Sequence, residues 1–227
     1  MKKRSKRVKE NLKDLDKKKV YSLEEAFQTL LASKKAKFDE TVEAHFNLNI
    51  NPEKTEQAVR GGAELPFGTG KKITIAVFSE NPTQLEEAKN GGAELVGGEE
   101  LIEEIGKKGN LSADIVLATP GIMPKLAKVA RILGPRGIMP NPKNDTVTTD
   151  ITKTIEKFKK GKITYKNDKG ANIHAPIGKL SFTEDQLKEN FEALKKSVEK
   201  AKPAGVKGKY IRSITISSTM GIGVKVA

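Results

Sequence analysis

Two kinds of strand share this chain, and they require different surroundings. Residues 41–50 alternate strictly, with Val42, Ala44, Phe46, Leu48 and Ile50 on one side and polar residues, His45 among them, on the other. Residues 209–217 repeat the pattern, Tyr210, Arg212, Ile214 and Ile216 opposing Ile211, Ser213, Thr215 and Ser217; it then breaks at Thr219, Met220 and Gly221 and resumes at Ile222. Such alternation sets one face on a core and leaves the other in water, here with short hydroxyl donors on the wet side. Residues 73–78 and 114–118 are instead nearly unbroken apolar runs, which suit strands buried on both faces of a parallel sheet.

Charge follows the same division. Lys and Arg outnumber Asp and Glu by 15 to 11 over residues 1–70, balance them at 12 each over 71–158, and exceed them by 15 to 6 over 159–227. The whole carries +13, which favours polyanionic partners. Only six of the 42 basic residues are Arg, so point charges suited to phosphate dominate over the planar forks that read base edges. With no Cys, disulfides and thiolate metal sites are excluded, in keeping with a reducing compartment. The Lys-rich first twenty residues have no apolar run behind them, so neither a secretory signal nor a membrane anchor is expected, and the expected location is cytoplasmic.

The expected fold is α+β with two domains. A split α/β sandwich with an antiparallel sheet is built from both termini, residues 1–67 and 160–227, and a Rossmann-like α/β domain with a parallel sheet, residues 68–159, is inserted between them. Capping boxes at Ser22 with Glu25 and at Thr183 with Gln186 open two helices of the split domain, the second carrying Leu187, Phe191, Leu194 and Val198 on one side. A short helix is expected from Asn51 and Pro52 to Gly61 and Gly62, a hairpin from 162–166 and 172–177, and a mainly charged N-terminal helix through residues 10–15 that reads as a solvated arm. Helical stretches 82–89, 99–108, 123–133 and 151–160 alternate with the buried strands of the insertion. The chain crosses between domains at Pro66, Gly68 and Gly70 and again at Lys160 and Gly161, and the glycines there permit a hinge. GGAEL occurs at Gly61 and again at Gly91, in different predicted surroundings, and reads as coincidence.

Enzymatic chemistry finds little support. The run Gly68, Thr69, Gly70, Lys71 lacks the Gly at 65 and the Ser or Thr at 72 of a phosphate loop, and Ile73 stands where a dinucleotide fingerprint needs its third Gly. Two histidines, His45 and His174, without cysteines do not form a catalytic metal cluster, and no cofactor is expected. Three segments suit RNA. Lys34, Lys35 and Lys37 surround Phe38, a ring for stacking among cations, unless Phe38 belongs to the core. Lys162, Lys166 and Lys169 flank the hairpin beside His174, either as a phosphate site or as a solvated face. Ser217 to Gly221 offers hydroxyls, a flexible apolar Met220 and a glycine that admits another backbone, or is simply a strand bend.

Seven stretches carry a family resemblance along essentially the full chain: AKFDETV at 36–42, LPFGTGK at 65–71, VGGEE at 96–100, ATPG at 118–121, RILGPRGIMPNPK at 131–143, NIHAPIGK at 172–179 and STMG at 218–221. In this order they resemble the bacterial large-subunit ribosomal protein one family, proteins of the mobile stalk; Phe67 stands where a His is expected. The resemblance implies a non-enzymatic protein, a monomer when free, whose split domain binds 23S rRNA in the ribosome and whose insertion lies nearer exit-site tRNA. It also implies release of deacylated tRNA from that site and repression of its own operon through an mRNA site. Carried over by motif, the RNA contacts fall on Lys37, Phe38 and Thr41, on Lys166, Asp168, Lys169 and His174, and on Ser213, Ser217, Thr219, Met220 and Gly221. The competing readings are an RNA-modifying or nucleotide-using enzyme with a basic delivery domain and a basic chaperone without RNA preference.

Overall fold

A computed structural model describes residues 6–12, 15–16 and 19–226. The chain runs through helices α1 (Lys6–Asn11) and α2 (Leu23–Ala32), strands β1 (Thr41–Leu48), β2 (Arg60–Glu64) and β3 (Ile75–Phe78), helix α3 (Pro82–Asn90), strand β4 (Leu95–Gly97), helix α4 (Glu99–Lys108) and strand β5 (Ile115–Ala118). It continues with helices α5 (Met123–Leu126), α6 (Ala130–Leu133) and α7 (Ile151–Lys160), strands β6 (Lys162–Lys166) and β7 (Asn172–Lys179), helix α8 (Glu184–Lys200), and strands β8 (Ile211–Ser218) and β9 (Gly223–Val226). These elements form two compact units, one of Met1–Gly70 with Gly161–Ala227 and one of Lys71–Lys160.

The first unit is built on an antiparallel sheet in the order β7-β1-β8-β9. Burial alternates residue by residue along β1, and Val42, Ala44, Phe46 and Leu48 point into the core. Helices α2 and α8 cover that face, each opened by a complete capping box, at Ser22 with Glu25 and at Thr183 with Gln186. Phe191 of α8 stacks on Phe46 at 6.1 Å and meets Phe27 of α2 edge-on at 6.4 Å, so one ring ties both helices to the central strand. The opposite face carries His45, Asn47, His174, Ser213, Thr215 and Ser217, none of them buried.

In the second unit β4, β3 and β5 form a parallel sheet with β3 in the middle. Ile75, Val77 and Leu117 pack against Ala88 of α3 and Ile151, Ile155 and Phe158 of α7. Ala76, Phe78, Val116 and Ala118 pack against Ile102 and Ile105 of α4 and Leu126, Val129 and Leu133 from the α5–α6 region. Both faces are covered, which is why these strands read as continuous apolar runs. The architecture is α+β, with a four-stranded antiparallel sheet, a two-stranded antiparallel pair of β2 and β6, and a separate parallel sheet.

Several local expectations are corrected. Residues 51–62 are not a helix: only Thr55–Gln57 forms a 3-10 turn, and Gly61 and Gly62 lie inside β2, which pairs antiparallel with β6. Glycine is required there because a Cβ on Gly61 would sit 2.8 Å from the Tyr165 hydroxyl. The two arms of the expected hairpin therefore join different sheets, β6 with β2 and β7 with β1, and meet at the turn through an Asn167–Ile173 bridge and a bond from the Asp168 N–H to the Asn172 carbonyl. The 123–133 stretch is interrupted by 3-10 geometry at Ala127–Val129. Of residues 10–15, 13 and 14 lie outside the described residues, while Asn11 and Leu15 are buried, so this segment is not a solvated arm. The second GGAEL leads into β4, three residues too short to register as a periodic signal.

The segment before Lys71 is fastened to the first unit. Asn190, fully buried in α8, accepts a bond from the Phe67 N–H at 3.1 Å and donates to the carbonyls of Gly68 at 2.9 Å and Ile177 at 2.8 Å. Gly161, at φ 117°, lies so close to Gly68 that a Cβ would fall 2.3 Å from the Gly68 Cα. Replacing Asn190 by Leu leaves one N–H and two carbonyls without that partner and is expected to cost about 3 kcal/mol, read as a lowered urea midpoint at unchanged slope; a midpoint within error of wild type would show that the amide is dispensable.

Candidate nucleic-acid interface

The turn between β8 and β9 is shaped by a carboxylate from the other end of the chain. Glu40, 1% exposed, lies just ahead of β1. Its Oε2 accepts from the Ser218 hydroxyl at 2.7 Å and from the Met220 N–H at 3.0 Å, and its Oε1 accepts from the Ala36 N–H at 2.6 Å and from Arg7 at 3.0 Å. Arg7 of α1 also donates to the Met220 carbonyl at 2.9 Å, so the backbone of the turn is held at both its N–H and its C=O. Thr219 closes the arrangement against β1: its hydroxyl accepts from the Thr41 N–H at 3.0 Å, and its N–H donates to the Thr41 carbonyl at 3.0 Å. Gly221 is confined by contact, since a Cβ would meet the Ser218 hydroxyl at 2.2 Å.

Burial alone would raise the Glu40 pKa, but the bonds from Ser218, the Ala36 and Met220 amides and Arg7 outweigh it and hold the group below its ordinary 4.5. The polar backbone of the turn is thus engaged internally, and what it presents outward is side chains: Met220 is 53% exposed and Phe38, on the segment leading to Glu40, is 55% exposed. Phe38 is therefore not a core residue. Lys37 beside it is exposed, and Thr41 accepts a bond from Lys179 at 3.0 Å.

A second polar system crosses the open face of the sheet. His45 is the cross-strand partner of both His174 and Thr215. Its Nε2 lies 2.8 Å from the Ser217 hydroxyl and its Nδ1 2.7 Å from His174 Nδ1, while His174 Nε2 lies 3.4 Å from Asp168 Oδ2. Burial lowers the His45 pKa and the neighbouring His174 lowers it further, with Glu43 opposing. Asp168 is held ionised by bonds from the Asn172 and Gly170 amides among others, and its pKa is lowered. Asp168 can only accept, so His174 Nε2–H donates to it, and the two remaining short contacts join His174 to His45 and His45 to the Ser217 hydroxyl. One position further along β1, Asn47 donates to Asn172 at 2.7 Å and is paired in register with Ser213.

The sequence-derived residues thus fall into three places. Lys37, Phe38, Thr41, Thr219, Met220 and Gly221 gather around the turn, and Ser213, Ser217 and His174 lie on the open face. Lys166, Asp168 and Lys169 line an open groove of about 860 Å³ with Asn51, Glu53 and Arg60, and Asp168 joins that groove to the sheet through His174. Lys162 does not belong with them: it is 5% exposed and packs over Gly62, because β6 is held in a sheet with β2. Sequence reasoning missed Glu40, Arg7 and His45 as organising residues; the only signal for Glu40 was its place within AKFDETV. Among the described residues no group of three or more His, Asp and Glu is arranged to hold a metal, and no helix is long and apolar enough to cross a membrane.

Residues 30–222 match the sequence model of the ribosomal protein L1p/L10e family. The chain belongs to that family. Large ribosomal subunit protein uL1 of Mesoplasma florum is 50% identical to it over 226 residues, covering 100% of this chain and 99% of that protein. The proteins of the same name from Mycoplasma capricolum and Mycoplasma mycoides are 48% and 47% identical over the same coverage. In this member of the L1p/L10e family, the buried acid that shapes the turn is a titratable support. Its pKa is lowered on folding, so its contribution to stability is complete above the unfolded carboxylate range and is lost as pH falls through the folded value. Glu40→Gln is expected to cost roughly 2 kcal/mol at neutral pH and less in acid; equal losses for the variant at about pH 7 and about pH 3 would contradict the assignment.

Proposed function

We propose that this protein is a structural constituent of the large ribosomal subunit, not an enzyme, and that its split unit is the part that binds 23S rRNA. The observation that carries this reading is the turn at Thr219, Met220 and Gly221, locked from beneath by Glu40 and Arg7 so that Met220 and, beside β1, Phe38 stand exposed on a fixed frame. Fixed apolar side chains beside short hydroxyls recognise the shape and 2′-hydroxyls of structured RNA, and a frame that is already rigid loses little entropy on binding. Ser217 adds a hydroxyl to the same face, and a hydroxyl can both donate to and accept from a 2′-hydroxyl. Lys37, Lys166 and Lys169 enter no ion pair among the described residues, which leaves them available to phosphates. The relatives' shared name, large ribosomal subunit protein uL1, supports the same assignment.

The finer roles rest on the family resemblance. We assign the insertion, Lys71–Lys160, to exit-site tRNA and its release, and the rRNA-binding face also to an mRNA site in the protein's own operon, since an RNA imitating the rRNA element would meet the same fixed turn. Pro66, Gly68, Gly70, Lys160 and Gly161 mark the joint, and because Asn190 fastens residues up to Gly68, we place the pivot at Gly70 and at the end of α7.

Affinity for a stalk rRNA fragment against a scrambled hairpin, measured over a salt series, tests the reading. Thr219→Ala and Met220→Asp are each expected to weaken binding to the fragment by about 1–3 kcal/mol while leaving the salt slope unchanged. A folded variant with wild-type affinity would remove the turn from the interface, and equal affinity for both RNAs at matched salt would favour a nonspecific basic chaperone.

A further inference from the structure

The only two histidines of the chain meet each other. His45 and His174 are direct cross-strand partners of β1 and β7 on the open face, with ring centroids 4.9 Å apart, planes at 62° and the two Nδ1 atoms 2.7 Å apart. We infer that this pair forms a two-imidazole binding site for a late first-row divalent ion such as Ni²⁺, Cu²⁺ or Zn²⁺. The inference goes beyond the RNA-binding reading and does not depend on it.

Three features carry it. The first is geometry: imidazole nitrogens bind such ions at about 2.0–2.1 Å, so two on one ion stand about 3 Å apart, and the observed separation needs to open by only a few tenths of an ångström. The second is support from behind. Metal-binding imidazoles hold their other nitrogen against an oxygen, which fixes the ring, and here His45 Nε2 lies 2.8 Å from the Ser217 hydroxyl and His174 Nε2 3.4 Å from Asp168 Oδ2. Asp168 is itself fixed, its Oδ1 accepting from the Gly170 N–H at 2.8 Å and the Asn172 N–H at 2.7 Å. The third is access: the His174 side chain is 52% exposed, so an ion enters without unfolding and water fills its remaining positions.

The ion takes the Nδ1 lone pairs of both rings, and the proton between them moves to His45 Nε2 or leaves to water, so that each ring keeps an Nε2–H, directed at Ser217 from His45 and at Asp168 from His174. With two protein ligands and no third acid or imidazole placed to join them among the described residues, the site belongs to an exchangeable ion and not to a structural one.

Two histidines make the test direct. In the untagged full-length protein titrated with Ni²⁺ alone, the imidazole proton resonances of both residues are expected to broaden together at substoichiometric ion, before other resonances, and calorimetry is expected to give one ion per chain. His45→Gln and His174→Gln are each expected to abolish this binding, and Asp168→Asn to weaken it by about tenfold at unchanged stoichiometry, the effect of losing a supporting carboxylate. Broadening of one histidine without the other in wild type, or unchanged affinity in folded His174→Gln, would overturn the site.

Discussion

A carboxylate withdrawn from water has to be surrounded by donors, and the donors of Glu40 come from three stretches far apart in sequence: α1, the segment before β1, and the β8–β9 turn. Removing an ion from solvent costs several kcal/mol and is offset only when its lone pairs are filled with good geometry. The native arrangement of all three stretches is therefore selected together, because withdrawing any one leaves the acid short of a partner. This is how a polypeptide without disulfides fixes an exposed two-residue turn. Thr219 adds a second attachment to Thr41, and Gly221 is the residue that lets the chain pass the Ser218 hydroxyl.

The same strand, β1, serves both polar systems. Glu40 stands at its entrance, and His45 lies in the middle of its wet face, where the pleat carries it opposite Phe46. The buried side of β1 stacks on the aromatic cluster of Phe27, Phe46 and Phe191, so the register that aligns His45 with His174 and Thr215 is the register that fills the core. A slip of one residue would bury His45 and expose Phe46 together. The geometry of the open face is in this sense a consequence of core packing.

What could be read in the sequence was what local periodicity and capping determine. Alternation placed β1 and β8 and the side each turns to water, two capping boxes placed α2 and α8, and the continuous apolar runs placed β3 and β5 between two helical layers. Pairing over long distance was not legible. Gly61 and Gly62 carry the signal of a helix stop, and only the Tyr165 ring from a strand about a hundred residues later explains why they are strand glycines. Glu40 follows Asp39 and resembles a solvated acidic pair; Lys162 resembles its exposed neighbours Lys166 and Lys169; Arg7 resembles the rest of a basic terminus. In each case the side chain's fate is decided by a partner that local composition does not announce.

The distribution of ion pairs bears on why the two units differ in charge as they do. In the insertion, Lys125 lies 3.1 Å from both Glu80 and Glu99, Glu99 also holds Lys128, and Lys71 pairs with Asp114. These pairs offset charge locally, and over residues 71–158 basic and acidic residues are equal in number, so little field extends beyond a Debye length. In the split unit Glu10, Glu24 and Glu25 pair with Lys34, Lys188 and Lys19, but Glu40 is buried within the turn and Asp168 is bound by backbone amides, so neither neutralises Lys37, Lys166 or Lys169. Glu40 and Asp168 shape the surface while lysines charge it. The net excess of cations in the count therefore reaches the surface of the split unit undiminished by Glu40 and Asp168, and that unit is the one whose exposed hydroxyls and apolar side chains are already held in place.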